Sequence, residues 1–302
     1  MTVSTVARRV YQGVIPIPVR SRVWRARRQI VGGAHELRWR MTPEPLLSQW
    51  VDRRLDSSPY YWLFIMGCNN SGTSLLSEVL GADPRMRTLP KGGQRLTDAI
   101  PDSARAGVGR IFTQRLDLFR WTEASPADPV RRLRYDWARY FSQGPGILLE
   151  KSTPNAVRSR WLQKHFRPAR FVTIVRNPYA VSEGIARRTP HPIEEGARHW
   201  TRLHAILRED MKYLEQCLVV TYEDFCDRPT EQLERIRQFL GLAEPFDVSI
   251  LERSFNAPNI DGKPAGLQNL NNRSFSRLNA DAIATITRIA GEEMTHWGYA
   301  PL

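Results

Sequence analysis

Between Tyr60 and Met66 seven apolar or aromatic residues follow one another without a polar break, and the chain then turns to Gly67-Cys68-Asn69-Asn70-Ser71-Gly72-Thr73-Ser74. Leu75, Leu76, Val79 and Leu80 recur at helical spacing until Gly81. An unbroken apolar run suits a strand buried on both faces, and the later recurrence marks one face of a helix. The expected order is buried strand, tight loop, helix.

Three more short apolar runs, Gly146 to Leu149, Arg170 to Val175 and Cys217 to Tyr222, read as buried strands. Helical patterns separate or follow them: Asn155 to Phe166 with Ser152 or Thr153 as N-cap, Pro178 to Arg188 with the proline in the first turn, a helix after Pro192 to about Gln216, Thr230 to Leu240, and Ala282 to Met294. From Asp83 to Gly144 the pattern is mostly helical with turns between, and Val130, Leu133, Trp137 and Phe141 share one helix face. The stretch from Asn256 to Asn272, rich in Asn, Gly and Pro, reads as a loop. Strands alternating with helices predict an α/β fold, a central parallel sheet flanked by helices in the three-layer manner of P-loop nucleotide hydrolases. Ligands of such sheets sit at the carboxyl edge of the strands, where the Ser71 loop, Lys151 and Arg176 each follow a strand.

The loop itself carries chemistry. A helix start leaves its first amides without intrahelical partners and places the positive end of the helix dipole beside them, so a phosphate or sulfate oxygen is the natural occupant. The spacing is glycine, four residues, glycine, then two hydroxyl residues, with Thr73 where the nucleotide hydrolases have lysine. An ordinary ATPase or GTPase is therefore disfavoured. Walker-type magnesium ligands are not evident, and no metal is expected.

Charge changes the picture in one region. The chain of 302 residues has a formal net charge of +13, and 41% hydrophobic residues give ample material for a core. Residues 1–54 hold eleven arginines against Glu36, Glu44 and Asp52, so most of the excess precedes the loop. We read residues 1–55 as a basic N-terminal extension and 56–302 as the α/β domain. Within the extension Val19, Val23, Ala26, Ile30, Ala34 and Leu37 fall near one helix face among arginines; this is either a surface helix packed on the domain or a peripheral contact with an anionic membrane, and Gly32-Gly33 weakens the helix in either case. Nucleic-acid binding is the less favoured partner, because no helix-turn-helix, zinc-finger or RNA-motif signature accompanies the charge. No apolar run is long enough to cross a bilayer and no secretory signal is evident. Cys68, Cys217 and Cys226 form no paired framework, which together makes a cytoplasmic location the default.

Four blocks in order, Gly67-Cys-Asn-Asn-Ser-Gly-Thr-Ser-Leu-Leu75, Glu150-Lys-Ser-Thr-Pro154, Phe171-Val-Thr-Ile-Val-Arg-Asn-Pro178, and Val220-Thr-Tyr-Glu-Asp-Phe225 leading to Phe239-Leu-Gly-Leu242, make the chain resemble the 3′-phosphoadenylyl-sulfate-dependent sulfotransferases, nearest in pattern to the bacterial, carbohydrate and tyrosyl-protein branches. The resemblance implies transfer of a sulfuryl group from 3′-phosphoadenylyl sulfate to a hydroxyl of a carbohydrate, lipid or other acceptor. It implies that Ser71, Gly72, Thr73 and Ser74 hold the 5′-phosphosulfate, that Arg176 pairs with the 3′-phosphate, and that Tyr222 lies against the adenine. The alternative it leaves open is a catalytically weak nucleotide-binding relative of the same fold.

The departures from the family pattern are specific. Asn70 stands where the family usually has a lysine or arginine, which makes Lys151 the candidate for the missing positive charge. Gly184 stands where a serine that assists the 3′-phosphate is usual; Ser182 lies two residues earlier, and Arg187 and Arg188 follow. At the position of the tyrosyl-protein branch's basic glutamate the chain reads Leu89-Pro-Lys-Gly-Gly-Gln94, without a carboxylate. Asp98 and His199 are the nearest alternatives for the base, which stays unassigned.

Overall fold

The computed structural model describes residues 32–56, 61–260 and 263–302, with the side chains of 258–260 outside the description. The chain divides by internal contacts into two units, Met1–Arg53 and Arg54–Leu302. In the first, a helix runs over residues 32–41, taking in Gly32 and Gly33, and a second helix, Glu44–Leu55, begins. The arginine-lined face expected from Val19 to Ile30, and with it the membrane contact, lies outside the described residues.

The second unit is built on five parallel strands, β1 (Trp62–Gly67), β2 (Met86–Thr88), β3 (Ile147–Lys151), β4 (Ala169–Val175) and β5 (Cys217–Thr221), in the order β2-β3-β1-β4-β5. Side chains alternate across a strand, so β1 sends Leu63 and Ile65 to one face and Trp62 and Phe64 to the other. The first pair joins a core with Leu75, Leu76, Val79, Val172, Ile174, Phe225, Leu233 and Ile236. The second pair belongs to an aromatic cluster: Trp62 lies 4.9 Å from Phe166 and 5.8 Å from Trp137, and Phe64 lies 5.5 Å from Phe171. Both faces are thus covered by apolar packing, which is why β1 reads as an unbroken apolar run rather than an alternating one.

The helices that matter to the site are α1 (Thr73–Leu80), α2 (Asp128–Ala138), α3 (Ser159–His165), α4 (Pro178–Ala186), α5 (Ile193–Met211), α6 (Tyr222–Asp227), α7 (Pro229–Phe239), α8 (Asn271–Phe275) and α9 (Ala280–His296). Register brings the chemistry together. Gly67 pairs with Ile174 and Ile65 with Lys151, so the loop after β1, the end of β3 and the residue after β4 share one edge of three adjacent strands.

Several local expectations are corrected. The second predicted strand continues through Glu150 and Lys151. The segment from Asp83 to Gly144 is not mostly helical: it carries the edge strand β2, short turns at Gly93–Leu96 and Phe112–Arg115, a one-turn helix at Leu116–Phe119, and only α2 as a full helix. The helix expected from Asn155 to Phe166 is a tight turn, Thr153–Val157, followed by α3. Ser152 does not cap it, because its hydroxyl donates to the Glu150 carboxylate at 2.5 Å instead. Finally, the predicted loop after Asn256 contains an antiparallel hairpin, β6 (Phe255–Ile260) and β7 (Lys263–Ala265), and leads into α8. Pro258 and Pro264 hide it from periodicity, since proline is tolerated only where a strand needs no donor.

Candidate functional site

The turn after β1 is closed by the Ser71 amide donating to the Cys68 carbonyl at 3.2 Å. Asn70 takes a left-handed conformation, φ 64°, which asparagine tolerates better than most residues. Gly72 follows at φ 93° as the residue before α1, and a β-carbon there would stand 2.7 Å from Cδ2 of Tyr222. Only glycine fits both demands. The first backbone bond into the helix runs from Leu76 to Gly72, so among the described residues the amides of Gly72, Thr73, Ser74 and Leu75 have no acceptor. The Ser71 hydroxyl is fully buried and also unpartnered. Ser71 departs from the expectation: its amide is used within the turn, its hydroxyl is buried, and it does not line the cleft that Gly72, Thr73 and Ser74 line.

Arg176, directly after β4, is fixed from three sides. Its Nε donates to Asn271 Oδ1 at 2.8 Å, its Nη1 to the Asn70 carbonyl at 2.9 Å, and its guanidinium lies 4.1 Å over the ring of Tyr222. Behind it, Glu223 accepts from the Asn271 amide group at 2.6 Å, from the Asn177 amide at 3.0 Å and from the Tyr299 hydroxyl at 2.8 Å. Among the described residues Nη2 of Arg176 takes no partner. Tyr222 is itself anchored by its hydroxyl to the Gln268 carbonyl at 3.0 Å, and the face of its ring that holds Arg176 is occupied by that guanidinium.

Asn70 collects the remaining charge. Its Oδ1 accepts from Arg110 at 3.0 Å and from Arg188 at 2.9 Å, while Nδ2 is buried without a partner among the described residues. The amide fits because position 184 is glycine; a β-carbon there would meet Asn70 Cγ and Nδ2 at 3.3 Å. The departures at Asn70 and Gly184 are therefore one coupled feature. These residues line a cleft of about 490 Å³ that also receives Arg187, Arg273 and Arg277, with Glu78 as the only carboxylate among its lining residues. Burial, then repulsion from Arg95 and Arg187, lowers the pKa of Arg110, and burial, then repulsion from Arg110 and Arg187, lowers that of Arg188. Crowded guanidiniums of this kind are stabilised by an anion between them.

Lys151 donates from Nζ to Ser74 Oγ at 3.0 Å, and its pKa is lowered by burial, an effect that Glu150 opposes. Glu150 itself is fully buried and accepts from the Gly93 amide at 2.7 Å, from Ser152 and from Asn155, so it anchors turns rather than facing solvent. Lys151 also lines a second cleft of about 370 Å³, together with Thr88, Leu89, Lys91, Gly92 and Leu149, which shares Ser74 and Glu78 with the first.

Three sequence-predicted residues lie elsewhere. Ser182 is buried against α5, its Cα 3.0 Å from where a β-carbon on Gly196 would stand, and it does not line the cleft. His199 is buried, bonds Thr113 Oγ1 at 2.7 Å and meets Phe112 edge to face at 4.8 Å; burial pushes its pKa down to about 3. A neutral imidazole sealed in that way is a poor base and reaches neither cleft. Asp98 is 85% exposed, pairs with Arg105 and also lines neither cleft. Sequence reasoning missed Arg110, Arg273 and Arg277, which carry no motif. It also missed Glu78, for which a signal existed: Glu78 is four residues after Ser74 on a helix and so shares its face.

No curated protein matches the chain in sequence. Among solved structures, the sulfotransferase domain from the curacin biosynthetic pathway matches with 16% identity and a TM-score of 0.50, covering 80% of this chain and 99% of that one. The sulfotransferase domain of the Synechococcus PCC 7002 olefin synthase matches with 20% identity and a TM-score of 0.52, covering 79% and 94%. Mouse sulfotransferase SULT7A1, solved in complex with PAP, has 14% identity and a TM-score of 0.44, covering 82% and 89%. At these identities the likeness is one of fold. The sulfotransferase family model, however, matches residues 63–247, more than half of the chain, including the site's loop, Arg176 and all of strands β1 to β5 except Trp62. The chain belongs to the sulfotransferase family.

Proposed function

We propose that the chain transfers a sulfuryl group from 3′-phosphoadenylyl sulfate to the hydroxyl of an acceptor. The observation that carries this reading is the pairing of two anion stations in one cleft: the unpartnered amides of Gly72, Thr73, Ser74 and Leu75, and Arg176 with its remaining Nη2. A donor with a phosphosulfate at one end of adenosine and a phosphate at the other fits that pair, and a cleft of about 490 Å³ is within the usual size of small-molecule sites. The donor supplies an activated sulfuryl group whose S–O bond breaks toward phosphate. The chain's residues bind, orient and neutralise: the loop amides hold the leaving phosphate, Arg176 fixes the 3′ end, and Lys151 stands on Ser74 to offset negative charge that grows on the leaving oxygen. The positive role missing at Asn70 is shared between Lys151 and the Arg110 and Arg188 pair.

Calorimetry with adenosine 3′,5′-bisphosphate tests the reading. Arg176→Ala is expected to weaken binding by tens-fold, about 2 kcal/mol for a charge-assisted contact. Wild-type protein that does not bind the bisphosphate, or an affinity unchanged in Arg176→Ala, overturns it. A second reading, a relative that binds the nucleotide with little transfer, is favoured by the displacement of Asp98 and His199 from the cleft; label from [35S]3′-phosphoadenylyl sulfate appearing in an acceptor excludes it.

A further inference from the structure

Ser74 and Glu78 are the two residues that line both clefts. They stand one turn apart on α1, so their side chains share a face of that helix. A sulfuryl group delivered by the loop therefore arrives at the boundary of the second cleft. That cleft has a particular chemistry: of its lining residues none is aromatic, and Ser77, Thr88, Lys91 and Lys151 supply hydroxyls and two ammonium groups against the single carboxylate of Glu78. Lys151 is engaged by Ser74 at 3.0 Å, whereas Lys91 is exposed and has no acceptor among the described residues. Glu78 accepts the Asn256 amide on Oε2 at 2.8 Å, and among the described residues nothing donates to Oε1.

We propose that the second cleft is the acceptor site, that it takes a non-aromatic alcohol bearing an anionic group, and that Glu78 receives the hydroxyl proton while Lys91 holds the anion. The inference rests on the donor reading above. In the step, the acceptor oxygen forms a bond to sulfur as the bond from sulfur to the bridging phosphate oxygen breaks. The hydroxyl proton passes to Glu78, which later returns it to water, and the leaving electron pair stays on the phosphate. An aromatic acceptor lacks the stacking surface it would need, and a neutral alcohol leaves Lys91 without a partner.

The test splits a host-cell metabolite extract on an anion exchanger into retained and unretained halves, and offers each, with [35S]3′-phosphoadenylyl sulfate, to the full chain. Label is expected to enter the retained half at least tenfold more than the other. Lys91→Ala should raise the acceptor concentration needed for half-maximal transfer about tenfold with calorimetric affinity for adenosine 3′,5′-bisphosphate changing less than threefold, and Glu78→Gln should lower the maximal rate a hundredfold or more without weakening that affinity, since it removes a carboxylate from the first cleft. Equal labelling of the two halves, or transfer unaffected by both substitutions, overturns the proposal. If the bisphosphate binds and neither half accepts label, the acceptor inference fails while the binding assignment stands. If the bisphosphate does not bind, the donor reading has failed and takes this inference with it.

Discussion

The loop and the arginines that line the rest of the first cleft meet an anion by opposite means. The loop offers neutral backbone donors set by one short stretch of chain, Gly67 to Ser74, whose geometry is closed by its own turn and by glycine at 72. The arginines come from distant segments, Arg110 from the excursion after β2, Arg176, Arg187 and Arg188 from β4 and α4, Arg273 and Arg277 from around α8. The loop amides carry only partial charges, whereas Arg110 lowers the pKa of Arg188 and Arg187 lowers those of both. In the proposed function the loop accordingly fixes where an anion sits, and the arginines set how strongly and how salt-sensitively it is held.

The largest effect is expected where the two systems touch. In Gly72→Ala the new methyl must be carried at φ 93°, a strain of about 1–3 kcal/mol, and it meets Tyr222 at 2.7 Å. Tyr222 carries Arg176, so both stations are displaced at once. Affinity for adenosine 3′,5′-bisphosphate should fall a hundredfold or more by calorimetry while the far-ultraviolet dichroism stays that of the folded protein. A loss under tenfold would show that the loop does not set the geometry.

A middle effect separates the two systems. Arg110→Ala and Arg188→Ala each leave the other arginine on Asn70 Oδ1, and Arg110→Ala also relieves Arg188 of a repelling neighbour. Single losses of about fivefold, on the order of 1 kcal/mol, are expected, with a double loss greater than their product. The plot of affinity against salt should flatten in these variants and keep its slope in Gly72→Ala. An additive cycle, or equal salt slopes in all three, would break the distinction.

What the sequence made legible follows the same division. The loop, β1 and the ends of β3 and β4 are contiguous patterns, and their convergence follows from parallel pairing alone, as Ile65 beside Lys151 and Gly67 beside Ile174 show. Arg110 was hidden because it lies in a segment with little regular structure, where no period ties a residue to a face, and Arg273 and Arg277 because they lie beyond a hairpin that prolines disguise. His199 misled for a related reason: sequence shows that a histidine sits on a helix, but which face is sealed depends on Phe112 and Thr113, more than eighty residues earlier in the chain. Asn70 and Gly184 read separately as two defects, and only their contact reveals one substitution made in two places.

The smallest effect on anion binding is expected away from the cleft, at the two buried histidines of α5. His199 and His204 are buried, and burial lowers their pKa values to about 3 and about 4, against about 6.5 in the unfolded chain. The unfolded state therefore binds more protons between those limits. The stability this gives is fully present above pH 6.5 and is lost as pH falls toward 4 and then 3, by at most about 1.4 kcal/mol per pH unit for each histidine. Urea unfolding at pH 7, 6 and 5 should show midpoints that drop with acid, and His199→Gln, which keeps a polar partner for Thr113, should drop less steeply over the same range. Arginines do not titrate in this window, so the contrast between a cleft that gathers charge and histidines that burial keeps neutral is read from the slope alone. Parallel slopes in the two proteins would mean that His199 is not held neutral.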